Sequence, residues 1–153
     1  MTAITESLPK LVLKSQADRR LKRGHVWIYS NEVETSLKDF SAGQQVLVCN
    51  HQGKPMGIAM VSPNSLICGR LINRDIEQPL SKSLLVHRIK QALALREMYY
   101  PKPFYRLVFG DSDLLPGLVV DRFGEYLVVQ TSTAGMDLYI NDVVEALQQC
   151  LRP

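Results

Sequence analysis

Tyr105-Arg-Leu-Val-Phe-Gly-Asp-Ser-Asp-Leu-Leu-Pro-Gly-Leu-Val-Val-Asp-Arg-Phe-Gly-Glu-Tyr-Leu-Val-Val-Gln130 decides how the second half of the chain is read. Two apolar, strand-like runs flank a dense polar turn, and a second tight turn follows at Phe123-Gly124. Strands are expected over Arg106–Phe109, Leu118–Asp121 and Tyr126–Thr131. Acids and arginines interleave with them at Arg106, Asp111, Asp113, Asp121 and Arg122. Upstream, Leu84 to Tyr99 reads as an amphipathic helix, with Leu85, Val86, Ile89, Ala92, Leu93 and Leu95 on its inner side. Pro101 and Pro103 end it. Downstream, Asp137 is expected to cap a last helix with an apolar stripe of Ile140, Val143, Val144, Leu147 and Leu151, and Gln148 on its outer face.

The first half has a different texture. Gln45–Cys49, Met56–Met60 and Leu66–Ile72 are short strand candidates, the first two joined by a turn at His51–Lys54 that contains the permissive Gly53. Gly24–Ser30 adds a strand with large aromatic side chains. Short strands at this spacing, with no long helix among them, suggest a small closed or nearly closed barrel. A short helix should precede them, capped by Ser15, ended by Gly24, and turning Ala17 and Leu21 inward. The composition changes near Asn73–Pro79, which marks the boundary between two units.

The chain has 153 residues, 46% of them hydrophobic, so a packed core is expected. No apolar stretch approaches the ~20 residues that cross a bilayer, and residues 1–9 do not read as a secretory signal. Cys49, Cys68 and Cys150 are odd in number and widely spaced, which favours reduced thiols and a cytoplasmic protein. Net charge is +3, yet Lys10 to Tyr29 holds six bases and one acid. That asymmetry fits a surface facing a polyanion or, equally, a solvated helix face. Lys14, Arg19, Arg20, Lys22, Arg23, His25 and Tyr29 bring together cations for phosphates and rings for unpaired bases, and Arg70 is a further candidate for this basic face. Trp27 reads as barrel core, because a lone Trp is mostly buried.

Arg20-Leu-Lys-Arg-Gly-His-Val-Trp-Ile-Tyr-Ser-Asn-Glu32 resembles the opening of the PUA domain, a small β-barrel RNA-binding module. More narrowly, it is similar to the PUA domain at the front of bacterial S-adenosylmethionine-dependent 23S ribosomal RNA cytosine-C5 methyltransferases. Family members commonly carry a proline where this chain has Val26. Asp111-Ser-Asp-Leu-Leu-Pro-Gly117 resembles the Glu-Ser-Asp-Gly-Leu-Pro-Gly of the family's central domain, with Leu114 in place of the glycine. The resemblance implies an α+β chain: a PUA-like β-barrel at residues 8–75, then an incomplete α/β (strand-strand-helix) subdomain at 80–153, truncated before the methyltransferase domain. It implies ribosomal RNA as partner, and S-adenosylmethionine as cofactor of the parent protein but not of this fragment.

No glycine-rich cofactor loop is visible, since Gly53, Gly57 and Gly69 are scattered. In the family a cysteine nucleophile usually follows a proline in the catalytic domain, whereas Cys49, Cys68 and Cys150 follow Val48, Ile67 and Gln149 and read as structural. The three histidines have no metal or triad spacing. Asp111 and Asp113 do not complete a calcium loop, and a structural role is expected, either accepting backbone N–H groups in a turn or pairing with Arg106 or Arg122. The expectation is thus an RNA-recognising fragment with no catalytic or metal-binding residues of its own, able to self-associate through Phe104–Pro153. A non-catalytic interaction module, or the PUA domain of a different RNA-modifying enzyme, stays open.

Overall fold

The computed structural model describes residues 7–151. They fall into two compact units, the first ending at Leu80 and the second beginning at Ser81. The first unit contains β1 (Lys10–Val12), α1 (Arg19–Lys22), β2 (Trp27–Tyr29), β3 (Gln45–Cys49), β4 (Pro55–Val61) and β5 (Ile67–Asn73), with short 3-10 turns at Ser30–Glu32 and Leu37–Asp39. Its sheet runs β1-β3-β4-β5-β2. β1 is parallel to β3 and the other neighbours are antiparallel. The two edges approach each other: Leu13 bridges Val33, the Lys14 N–H donates to the Glu32 carbonyl (2.8 Å), and the Glu34 N–H donates to that of Val12 (2.8 Å). The sheet is therefore curled into a half-barrel that is nearly closed, as short strands with hidden edges require.

Alternation along the strands fills the interior. Val46 and Val48 of β3 and Ala59 and Val61 of β4 join Leu11 and Ile28 in one buried cluster. The β3–β4 turn is held by Asn50, whose Oδ1 accepts the N–H groups of Gln52 (3.0 Å) and Lys54 (2.9 Å). At the end of the unit the Gln45 amide grips the backbone of Leu80 from both sides, accepting its N–H (2.8 Å) and donating to its carbonyl (3.1 Å).

The helix expected from Ser15 begins later, at Arg19. Gln16 takes a left-handed φ of 69°, which a continuing helix cannot accommodate, so Ser15–Asp18 are turns and Ser15 is not the cap. Ala17 and Leu21 do face the core. Gly24, at φ +103°, ends the helix in a Schellman arrangement: His25 N–H donates to Arg20 O and Gly24 N–H to Leu21 O, both at 3.1 Å.

The second unit contains α2 (Lys82–Tyr99), β6 (Phe104–Phe109), a 3-10 turn (Gly110–Asp113), β7 (Leu118–Phe123), β8 (Tyr126–Thr131), α3 (Ala134–Leu138) and α4 (Ile140–Leu151). The strands form an antiparallel meander, β6-β7-β8. α2 packs against both α4 and β6. Ser81 caps α2 by accepting the Leu84 N–H (3.2 Å). Arg88 is buried on the inner side of this helix, whereas Leu95, expected there, is exposed.

Two expectations for this half are corrected. Asp137 lies inside α3, which Thr133 caps by accepting the Met136 N–H (3.1 Å); the chain breaks at Tyr139 before α4 begins at Ile140, and the Asp137 carboxylate takes the Thr131 hydroxyl. Asp113 does accept a backbone N–H in its turn, from Phe109 (2.7 Å), but its ion partner is Arg96, in a bidentate pair with both bonds at 2.7 Å. Arg106 pairs with Asp121 instead, and Arg122 donates to the Tyr105 hydroxyl (2.7 Å).

Gly117 is where backbone and packing constraints coincide. Its φ is +80°, and a Cβ there would lie 2.3 Å from the Thr133 hydroxyl oxygen. Gly53 has a similar φ (+85°) with open space around it. Gly117→Ala should therefore cost about 3 kcal/mol, the left-handed penalty plus overpacking, and Gly53→Ala only about 1 kcal/mol. Urea unfolding of the two variants measures the gap, and equal costs would show that Thr133 yields freely.

Candidate nucleic-acid interface

β2 is three residues long and alternates cleanly: Ile28 is buried, and Trp27 and Tyr29 point outward. Trp27 is 37% exposed, so it is not barrel core. The reason is register. Trp27 sits directly across from Arg70 on β5, and the Arg70 guanidinium lies over its ring, 5.2 Å from the centroid. A register shift between Ile28 and Tyr29 re-aims the second ring, and the Arg20 guanidinium covers it at 4.8 Å. Arg20 also reaches Glu32 (3.6 Å), whose Oε1 accepts the Tyr29 N–H (2.9 Å). α1, β2 and β5 thus present two arginine–aromatic stacks on one outward face.

The expected cations are not equivalent. Lys22 is tied to Asp18 at 2.9 Å, and that contact holds the Asp18 carboxyl below its ordinary value. Arg20 is shared between a ring and a carboxylate. Lys14, Arg19 and Arg23 are exposed and make no ion pair among the described residues. The exposed His25 contributes its carbonyl, which accepts from Arg74. Arg74 went unread in the sequence: it donates to Leu21 O (2.6 Å) and His25 O (3.1 Å), fastening the end of β5 to the α1–β2 turn. A lone arginine after a strand carries no local signal of such a long-range contact.

In the second unit, the stripe expected on the last helix divides. Val143 and Leu147 are buried, while Val144 is exposed and lines an open groove of about 660 Å³ with Leu127, Val129 and Leu151. Gln148 lines the same groove rather than facing away from it. Among the described residues, no group of three His, Cys, Asp or Glu could hold a metal ion, and no helix is long and apolar enough to cross a membrane.

Residues 11–74 match the family model of a PUA-like domain. The chain is 34% identical over 145 residues to Ribosomal RNA large subunit methyltransferase I of Salmonella gallinarum, and 34% identical over the same length to that of Salmonella arizonae. Each match covers 93% of this chain and 36% of the relative, so the chain spans about a third of the proteins it matches. Among solved structures, the Streptococcus mutans protein described as "a putative SAM-dependent methyltransferase" superposes with a TM-score of 0.78 at 20% identity, over 94% of this chain and 38% of that one. A methyltransferase complexed with SAH, also described as putative, superposes at 0.80 with 20% identity, over 94% and 37%. The chain therefore contains a PUA-like domain and is homologous to the N-terminal third of the large-subunit ribosomal RNA methyltransferases I.

None of the three thiols is activated. At the Gly110–Gly117 turn, Thr133 fills the space beside Gly117, and Asp113 is engaged by Arg96 and Phe109. The three cysteines are free thiols. Burial pushes Cys68 up to about 11 and raises Cys49 and Cys150 as well. A thiol so shifted is almost wholly protonated at neutral pH and is a poor nucleophile. Ellman's reagent at pH 8 should leave Cys49 and Cys68 unmodified in the folded chain and titrate all three thiols in denaturant. Rapid modification of Cys68 under native conditions would contradict this assignment.

Proposed function

We propose that the first unit binds ribosomal RNA through the face formed by α1, β2 and β5. The parent enzyme, on this reading, methylates a ribosomal RNA cytosine with S-adenosylmethionine in the cytoplasm, and this chain positions the RNA for it. The observation that carries the RNA reading is the pair of outward stacks, Trp27–Arg70 and Tyr29–Arg20, beside the exposed Arg19 and Arg23. Stacked guanidinium–ring pairs offer flat surfaces to unpaired bases, and free cations beside them take phosphates. The relatives' name, Ribosomal RNA large subunit methyltransferase I, supports ribosomal RNA as the partner. The PUA-like match points the same way.

Two kinds of variant separate the contributions. Trp27→Ala should weaken binding of a ribosomal RNA fragment by about 1–3 kcal/mol, the range for loss of one stacked base. Arg19→Ala with Arg23→Ala should weaken it further and flatten the dependence of log K on log salt by roughly one unit for each phosphate no longer neutralised. Lys82→Ala with Lys90→Ala is the comparator. Filter binding across a salt series reads all three, and equal losses for the two charge pairs would reduce the first face to an ordinary solvated surface.

Self-association through the second unit is a further proposal, supported by the groove that Val144 and Leu151 line. Light scattering across a dilution series should show a dimer that dissociates slowly or not at all, with Val144→Glu monomeric throughout and Asn141→Glu, at another exposed position of α4, unchanged. A monomer at every concentration would refute it.

A further inference from the structure

The second unit has a sheet face that its own helices leave open. Cross-strand partners lie on the same side of a sheet, and Phe104 pairs with Phe123, which pairs with Tyr126. One ring from each strand therefore falls in a single row, and all three are exposed, at 61%, 52% and 78%. The next row on the same face is Arg106, Asp121 and Val128, followed by Phe109, Val119 and Gln130. The Arg106 guanidinium is fixed there by two bonds to Asp121 (2.8 and 3.2 Å) and lies 5.3 Å from the centroid of the Phe109 ring. The opposite face holds the buried Leu107, Leu118 and Val120.

Three large rings aligned in solvent mark an interaction surface, and their arrangement selects the partner's size. The row spans two inter-strand gaps, about 10 Å. The whole face, three strands of six residues, measures only about 14 by 20 Å, roughly 300 Å², well short of the ~800 Å² per side of a standard protein interface. A strip of that length matches two to three bases, the number that sheet-borne aromatics stack in RNA-binding domains. Bases inside a duplex are not available to such a flat face, so the ligand is single-stranded. Arg106, fixed by Asp121, lies in the next row, and the exposed Lys102 precedes Phe104 by two residues.

We propose that the open face of β6, β7 and β8 is a second RNA contact, on which Phe104, Phe123 and Tyr126 stack two to three consecutive unpaired bases. It rests on the RNA reading of the first unit for its class of ligand, and it assigns the second unit a direct share in recognition.

The test uses the full chain and a fluorescein-labelled single-stranded RNA of about 12 nucleotides, alone and annealed to its complement. Phe104→Ala, Phe123→Ala and Tyr126→Ala, combined, should raise Kd for the single strand at least about 10-fold in fluorescence anisotropy, leave the duplex within about two-fold, and leave the salt dependence unchanged, because stacking releases no counterions. Phe104→Tyr with Tyr126→Phe should bind like the parent chain, since the rings are kept. Circular dichroism checks that the exposed substitutions leave the fold intact. Unchanged single-strand affinity in the triple variant, with binding still lost in Arg19→Ala/Arg23→Ala, would overturn the platform and leave the first face standing. Unchanged affinity in both would overturn the RNA reading altogether. A triple variant that keeps its full RNA affinity but shifts from dimer to monomer would assign the face to protein association instead.

Discussion

The bridge between Leu13 and Val33, with the backbone bonds on either side of it, is the contact on which the first unit's geometry depends. Without it β1 and β2 would be the two raw edges of a five-stranded sheet. With it the sheet curls, and Leu11, Leu13, Ile28 and Val33 share one interior. Curling also decides what faces out. Once Ile28 is committed inward, the period of two obliges Trp27 and Tyr29 to lie on the outer surface, whatever their size. Arg70 and Arg20 then cover rings that would otherwise expose their faces to water. The candidate interface follows from closure of the barrel and not from a loop added to it.

The second unit is organised by arginines reaching from one helix. Arg88 donates to the carbonyl of Leu114 (2.5 Å), Arg96 grips Asp113 through both oxygens, and its Nε donates to the Arg106 carbonyl (3.0 Å). These bonds hold a turn that is unfavourable in isolation, since Leu114 sits at φ 60°, a region that disfavours branched side chains. The arginine and carboxylate side chains of the Arg96–Asp113 pair are largely buried, at 14% and 7% exposure. Cutting one partner would strand the other charge in a dry site, which is why such pairs hold geometry more firmly than their net contribution to stability suggests.

Much of this was legible from sequence where one local signal dominated. Gln45–Cys49 and Tyr126–Thr131 appear with their expected limits because a continuous apolar run ends abruptly in turn or polar residues at both sides. Gly24 terminates its helix as its chemistry demands. The misreadings share a cause, which is competition from partners far away in the chain. Ser15 has the chemistry of a cap, but Gln16 turns left-handed before a helix can begin. Trp27 reads as core because lone tryptophans usually are, and its cross-strand arginine, 43 residues later, is invisible to any local pattern. Leu95 reads as an inner residue of its helix but is exposed, while Arg88, which no local pattern singles out, is inside and donates to the Leu114 carbonyl.

The pairing of each outward ring with its own arginine constrains how this surface can drift over generations. Trp27 and Arg70 come from different strands, and Tyr29 and Arg20 from a strand and a helix, so neither pair is a sequence neighbourhood that varies as a block. Replacing Arg70 with an acid would set an anion against the electron-rich face of Trp27, while replacing Trp27 alone would leave Arg70 without its platform. Tyr29 and Arg20 are further bound to Glu32, making a threesome. Among homologues, then, these positions should change together or hardly at all, and the covariation would trace the outline of the face without reference to any ligand.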